Sequence, residues 1–242
     1  MSVCIENLSI GYTARHQTRT VASQMTATLE SGRLTVLLGS NGVGKSTLLR
    51  TLSGLQRPLD GTIAIDGRDI RLYSRIQLAK TVGVVLTERT VLPNTTVRDI
   101  VALGRSPYTG FWGVLQTDDQ SIVDEAMELA GISALASRHT EELSDGERQK
   151  AMIAKALAQQ TPIIFLDEPS AFLDYPSKIE LFSLLRSLAH DQGKTILLST
   201  HDVEQALRQA DVAWLMDRQA GLRVGPPQRI TLTADKHSLT FL

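Results

Sequence analysis

The sequence has a single cysteine, Cys4, in 242 residues, which excludes an internal disulfide and a cysteine-rich zinc site. Such a chain fits a reducing compartment and holds itself together by burial. It also lacks a dominant charge. Against 26 Asp and Glu stand 25 Lys and Arg, a net charge of -1, so no global positive field draws in nucleic acid or anionic lipid, and nucleic acid is not an expected partner. Long hydrophobic runs are missing too: Leu34 to Leu38 and Ile163 to Leu166 fall far short of the roughly 20 apolar residues of a membrane span. Any membrane role is therefore peripheral. No basic residue precedes Arg15, and Glu6 and Asn7 interrupt the apolar start, so no secretory leader is expected. Neither a repeat of roughly 20 to 50 residues nor a low-complexity tract is visible, which excludes solenoids and flexible linkers. What remains is 42% hydrophobic and reads as ordinary globular protein.

Short runs rich in Val, Ile and Leu alternate with segments of helical period, the pattern of buried parallel strands joined by helices. The expected strands are Leu34 to Leu38, Val82 to Leu86, Ile163 to Leu166, Thr195 to Ser199 and Val212 to Met216. They predict an α/β fold built on a doubly wound sheet. Segments around Val3 to Ile10, Val21 to Leu29 and Gly61 to Gly67 look antiparallel, which makes the first lobe mixed. From Thr96 to about Gly131 the period turns helical, behind the acidic start Asp118-Asp119.

After the first buried strand comes Gly39-Ser40-Asn41-Gly42-Val43-Gly44-Lys45-Ser46, then the helical Thr47 onward. This is the P-loop pattern in its strand-loop-helix setting. Its glycines let backbone N–H groups turn toward phosphate oxygens at a helix N-terminus. Lys45 is expected to reach the β and γ phosphates, and Ser46 to offer a hydroxyl to Mg²⁺, a hard ion that prefers oxygen. Downstream, the apolar strand from Ile163 ends in Asp167-Glu168, at the strand end where ligands gather in such sheets. Asp167 is placed to hold Mg²⁺ directly or through water, and Glu168 to polarise an attacking water as general base. A nucleoside triphosphatase follows, unless the acids merely cap the next turn.

Leu143-Ser144-Asp145-Gly146-Glu147 lies between these two motifs and resembles the signature of ABC transporter ATP-binding subunits, usually Leu-Ser-Gly-Gly-Gln. The resemblance covers nearly the whole chain in the usual motif order. It implies ATP and Mg²⁺ as cofactors and a single nucleotide-binding domain over 1–242, whose helical subdomain spans about 96–160. Ser144 and Gly146 open a helix, expected from Glu147 to Gln159, whose N-terminus makes a second anion site. By resemblance that site serves ATP on a second copy of the chain, arranged head to tail. Alternatively, Ser144 and Glu147 form only a capping box. The resemblance further places His201 at the γ-phosphate, Asp174 of the D-loop across the dimer interface, and Tyr12 on adenine. Alignment without gaps puts Thr87 where the family has a glutamine that senses Mg²⁺, with Glu88 the adjacent candidate. Asp145 departs from the usual glycine, favouring the helix dipole but opposing a nearby phosphate. Ala171 stands where the D-loop often has Ser.

Val97 to Tyr108 resembles the subgroup that imports iron(III) siderophores, haem and cobalamin. That implies a subunit peripheral to the cytoplasmic face of the inner membrane, bound to permease subunits and indirectly served by a solute-binding protein. Tyr108, Phe111 and Trp112 are either anchors for the permease or closures of the helical subdomain. The chain also ends soon after its last expected strand, so no added regulatory domain is expected. The competing classes are a soluble, non-transport ABC-type ATPase and a regulatory module that no longer hydrolyses.

Overall fold

The computed structural model describes residues 1–14, 17–87, 93–110, 113–232 and 239–241. Its strands are β1 (Val3–Ala14), β2 (Gln17–Leu29), β3 (Leu34–Leu38), β4 (Asp60–Ile65), β5 (Arg68–Asp69), β6 (Val82–Val85), β7 (Ile163–Asp167), β8 (Thr195–Ser199), β9 (Val212–Asp217), β10 (Gly221–Gly225), β11 (Ile230–Leu232) and β12 (Leu239–Phe241). Its α-helices are α1 (Lys45–Leu52), α2 (Arg75–Thr81), α3 (Val97–Ala102), α4 (Thr117–Leu129), α5 (Asp145–Ala158), α6 (Tyr175–His190) and α7 (Val203–Gln209).

Two sheets organise the chain. β2-β1-β4-β5 is antiparallel, and the larger sheet runs β10-β9-β3-β8-β7-β6, parallel throughout except where β10 returns beside β9. Every residue of β3, β7 and β8 is buried, which is why these strands read as unbroken apolar runs. Successive side chains nevertheless go to opposite faces. Val36 and Leu38 join the cluster under α3 to α6, whereas Leu37 joins the cluster under α1 and the antiparallel sheet. The large sheet is thus the middle layer, with its strand ends open at the head of α1.

The five expected strands of the large sheet and the antiparallel first lobe are all present. Three points refine that expectation. Helix α5 begins at Asp145 rather than Glu147 and ends at Ala158 rather than Gln159. Its capping box fixes the start: Ser144 must be the N-cap for Glu147, three residues on, to reach back to the Ser144 N–H. Second, β10 and the antiparallel pair β11–β12 follow the last expected strand; all three are short, and β10 has no buried residue of the kind that marked the others. Third, Tyr108 is engaged within the chain. Its ring lies between the Arg105 guanidinium at 4.1 Å and the Lys80 ammonium at 4.8 Å, and its hydroxyl donates to the Gln159 carbonyl at 3.0 Å. These contacts fit the closing role left open for it, although the residue stays partly exposed. Phe111 and Trp112 lie outside the described residues.

Candidate active site

The loop after β3 takes the shape its glycines allow. Gly39 has φ 150°, and a Cβ there would lie 2.5 Å from the Met216 carbonyl oxygen; Gly44 has φ 116°, and a Cβ there would lie 2.4 Å from Val21 Cγ1. Gly44 is also the N-cap of α1 and offers no side-chain cap, so the first N–H groups of the helix face the cleft unblocked. Lys45 is buried and folds its ammonium back on the loop, donating to the Gly39 carbonyl at 2.9 Å and the Ser40 carbonyl at 3.4 Å. Burial pulls its pKa below the usual lysine range, against the opposing charges of Glu168 and Asp167.

This loop forms one wall of a cleft of about 500 Å³. Asn41, Gly42, Gly44, Lys45, Ser46 and Thr47 line it from below, Glu168 and His201 from the far side, and Tyr12, Arg19 and Val21 from the antiparallel sheet. Tyr12 is half exposed, and its hydroxyl sits 2.7 Å from Thr47 Oγ1, which ties the aromatic ring to the phosphate loop. Sequence reading missed Arg19 and Val21. Arg19 is the β-ladder partner of Tyr12, a relation visible only once the register of β1 and β2 is known.

At the end of β7 the two acids part ways. Asp167 is 2% exposed and sits beneath the cleft, its Oδ1 accepting from Ser199 Oγ at 2.6 Å and its Oδ2 from Thr87 Oγ1 at 2.8 Å. Glu168 has φ 51°, the left-handed region that a residue with a side chain occupies only when its surroundings insist. Its N–H donates to the Ser199 carbonyl at 3.1 Å and the Ser199 hydroxyl at 3.0 Å, and its Oε1 lies 2.6 Å from His201 Nε2. The twist turns Glu168 into the cleft while Asp167 stays below. Thr87 therefore reaches the metal-type carboxylate directly, and Glu88 lies outside the described residues.

Ser199 is the residue that sequence reading overlooked here. It pairs with Asp167 in the β7–β8 ladder and holds both acids in place from a fully buried position. Ser199→Ala is expected to cost about 1–3 kcal/mol, because it strips a hydrogen-bond donor from the buried Asp167 carboxylate, while the Glu168 N–H keeps the Ser199 carbonyl. Urea unfolding reads this as a lower midpoint at unchanged slope, and an equal midpoint would show that the hydroxyl holds nothing.

The donor set suits a hard divalent cation. The Ser46 hydroxyl and the Asp167 carboxylate would offer it oxygen donors, and no group of three His, Cys, Asp or Glu capable of holding a metal occurs among the described residues. Such a site leaves most of the coordination to phosphate and water, as Mg²⁺ requires.

Leu143 to Glu147 and Asp174 lie elsewhere. Ser144, Asp145, Gly146, Glu147, Phe172 and Asp174 line a separate cleft of about 600 Å³, so one chain does not bring its own signature to its own phosphate loop. Leu143 is buried, and Ser144 caps α5. The Ser144 hydrogen bonds, then Arg138, hold the Glu147 carboxyl below its ordinary range. Asp145 pairs with Arg148 at 2.8 Å, so its charge is countered within the helix. A Cβ on Gly146 would come 3.0 Å from the Phe172 carbonyl oxygen, which brings the D-loop backbone against α5. Asp174 caps α6, its Oδ1 accepting from the Ser177 N–H at 3.2 Å. Ser170 ties the start of the D-loop to the switch segment, donating to Asp202 Oδ2 at 2.5 Å while Lys178 pairs with Asp202 Oδ1 at 2.8 Å.

A phosphate cradle after β3, with an acid pair on the next strand but one, defines a P-loop nucleotide-binding protein. Within that class the chain belongs to the ABC transporter family, whose profile matches residues 22–171. It is 40% identical over 93% of its length to an uncharacterized ABC transporter ATP-binding protein of Methanocaldococcus jannaschii, covering 76% of that protein. It is 39% identical to the ferric enterobactin transport ATP-binding protein FepC of Escherichia coli, over 85% of this chain and 74% of FepC. Among solved structures it resembles an ABC transporter described as of metal-chelate type, in an inward-facing conformation, with a TM-score of 0.80, 31% identity, and coverage of 97% of this chain and 86% of that one.

Proposed function

We propose that the chain is the ATP-binding and ATP-hydrolysing subunit of an importer for a metal chelate such as an iron-siderophore, haem or cobalamin. The observation that carries the catalytic reading is the 2.6 Å contact between Glu168 and His201 across the cleft from Lys45 and Ser46. When ATP enters, the Lys45 ammonium leaves the Gly39 and Ser40 carbonyls for the β and γ phosphates, exchanging neutral acceptors for charged ones. Gly39 to Thr47 cradle the phosphates with backbone N–H groups, and Tyr12 stacks on adenine. Bound Mg²⁺, held by Ser46 and by Asp167 with Thr87 behind it, would neutralise charge between the phosphates. Glu168 takes the proton of the attacking water, and His201 fixes the Glu168 carboxylate and faces the γ-phosphate.

The signature cleft makes a second anion site at the α5 N-terminus, and a two-fold arrangement would set it over the phosphate loop of a second copy. Asp174 then lies at that interface. The import reading is supported by the kinship with FepC and by the metal-chelate type transporter. No helix among the described residues is long and apolar enough to cross a membrane, so a transport role needs a permease partner, with the chain peripheral to the cytoplasmic face. A groove of about 680 Å³ offers the docking place, with the exposed apolar Leu55 in its lining. A solute-binding protein would act on the far side of that permease.

The test is to tag the chain in its host, extract membranes in mild detergent, and identify what co-purifies. A polytopic permease is expected, together with ATP hydrolysis by the complex. Recovery from the soluble fraction alone would move the chain to the non-transport ABC-type ATPases.

A further inference from the structure

The groove of about 680 Å³ lies away from both nucleotide clefts, between the end of α1, helix α2, strand β6 and one face of α5. Its floor is apolar, with Leu55, Leu78, Val84 and Met152 among its lining. The charges on its described lining are all of one sign. Arg75 on α2 and Lys155 on α5 line it, and no carboxylate occurs among the described lining residues. Arg75 is solvent-exposed and stays hydrated, whereas Lys155 is partly buried. Among the described residues no carboxylate pairs with the Lys155 ammonium, and its pKa is lowered by burial.

Most lysines at such positions lay their methylene stem along apolar surface and lift the ammonium to water. An occupant of this groove would remove that water. A wholly apolar segment would then bury an unpaired ammonium, which is costly, whereas a segment with an acidic residue at the right height would convert the same lysine into a desolvated ion pair. We infer that the permease segment seated in this groove carries an Asp or Glu side chain that pairs with Lys155, with apolar residues on either side entering the floor around Met152 and Leu78. This rests on the reading that a permease docks here, and it adds the chemistry that selects the partner: an acidic residue framed by apolar ones, with Arg75 at the rim steering the approach.

A zero-length carbodiimide tests it, because that reagent joins an amine to a carboxylate only where the two already touch. Membranes holding the tagged complex are treated, and linked peptides are read by mass spectrometry. The expected product is an amide between Lys155 and an acidic residue in a cytoplasmic loop of the co-purifying membrane protein. Lys155→Glu is expected to lower recovery of that protein at least about tenfold, since it sets like charges together in a desolvated site. Lys155→Met, which keeps the stem, loses less. Exchanging the linked acid for Lys restores recovery with Lys155→Glu. Basal ATP hydrolysis by the isolated variants stays at the wild-type level, which also shows that they fold. Undiminished recovery with Lys155→Glu and no Lys155 link would overturn the inference while leaving the transporter reading intact. If wild type recovers no polytopic membrane protein, both fall. Loss of sedimentation with phosphatidylglycerol vesicles in Lys155→Glu, with permease recovery unchanged, would make a lipid phosphate the occupant and overturn the pairing.

Discussion

Glu168→Gln is expected to bind ATP as tightly as wild type and to hydrolyse it more slowly by about 10²–10⁴-fold, the usual contribution of a general base. The amide is isosteric, so the left-handed backbone at φ 51° and the hydrogen bonds from its N–H to Ser199 are untouched. An amide oxygen still meets His201 Nε2 where the carboxylate oxygen did, at 2.6 Å. What is lost is the capacity to accept the proton of water. The change therefore falls on kcat and not on ATP affinity, a split that separates a chemical role from a structural one. Phosphate release at saturating ATP and titration with a fluorescent nucleotide read the two quantities. With turnover blocked, the ATP-bound form should persist as a species of twice the monomer mass in size-exclusion chromatography. Equal hydrolysis by wild type and variant would remove Glu168 from the base position and leave His201 without a carboxylate to orient.

Much of this site was legible in the sequence because its chemistry depends on residues adjacent in the chain. The phosphate loop needs its glycines, lysine and serine in one uninterrupted stretch, and the buried strands before it and before Asp167 read as apolar runs because both faces of the sheet are covered. Helix α5 starts two residues before the point that composition suggests, for a simple reason. Asp145 and Gly146 look like loop residues by composition, and only the reciprocal bonds of Ser144 and Glu147 place them inside the first turn. Ser199, Arg19 and Val21 were invisible because they act through ladder register and sheet packing, across 32 residues in the case of Ser199 and Asp167. Lys155 was equally silent. On a helix, one lysine among alanines looks like a solvated face, and only the packing of α2 and β6 against α5 turns that face into the wall of a groove.

Gly44→Ala is expected to weaken ATP binding by about 10–100-fold, the equivalent of the 1–3 kcal/mol that a side chain costs in a sparsely populated backbone region. Two separate penalties meet at this position. The backbone sits at φ 116°, which a Cβ strains whatever the space, and that Cβ would also lie 2.4 Å from Val21 Cγ1. Val21→Ala distinguishes them. It removes the atom that is struck but leaves the dihedral, so the double variant should recover only part of the lost affinity. Full recovery would assign the whole effect to crowding and none to the conformation of the cradle. Stability provides the second readout. Without nucleotide, Gly44→Ala should unfold at lower urea than wild type by the strain alone. With ATP at about 100 times the wild-type dissociation constant, wild type gains about 2.7 kcal/mol from the ligand, and a variant with 100-fold weaker binding gains about 0.4 kcal/mol. The gap between the two unfolding midpoints must therefore widen when ATP is added. A gap that stays constant would mean that the strained loop still closes on phosphate, and that the left-handed geometry at Gly44 serves the packing of β2 against the sheet and not the nucleotide.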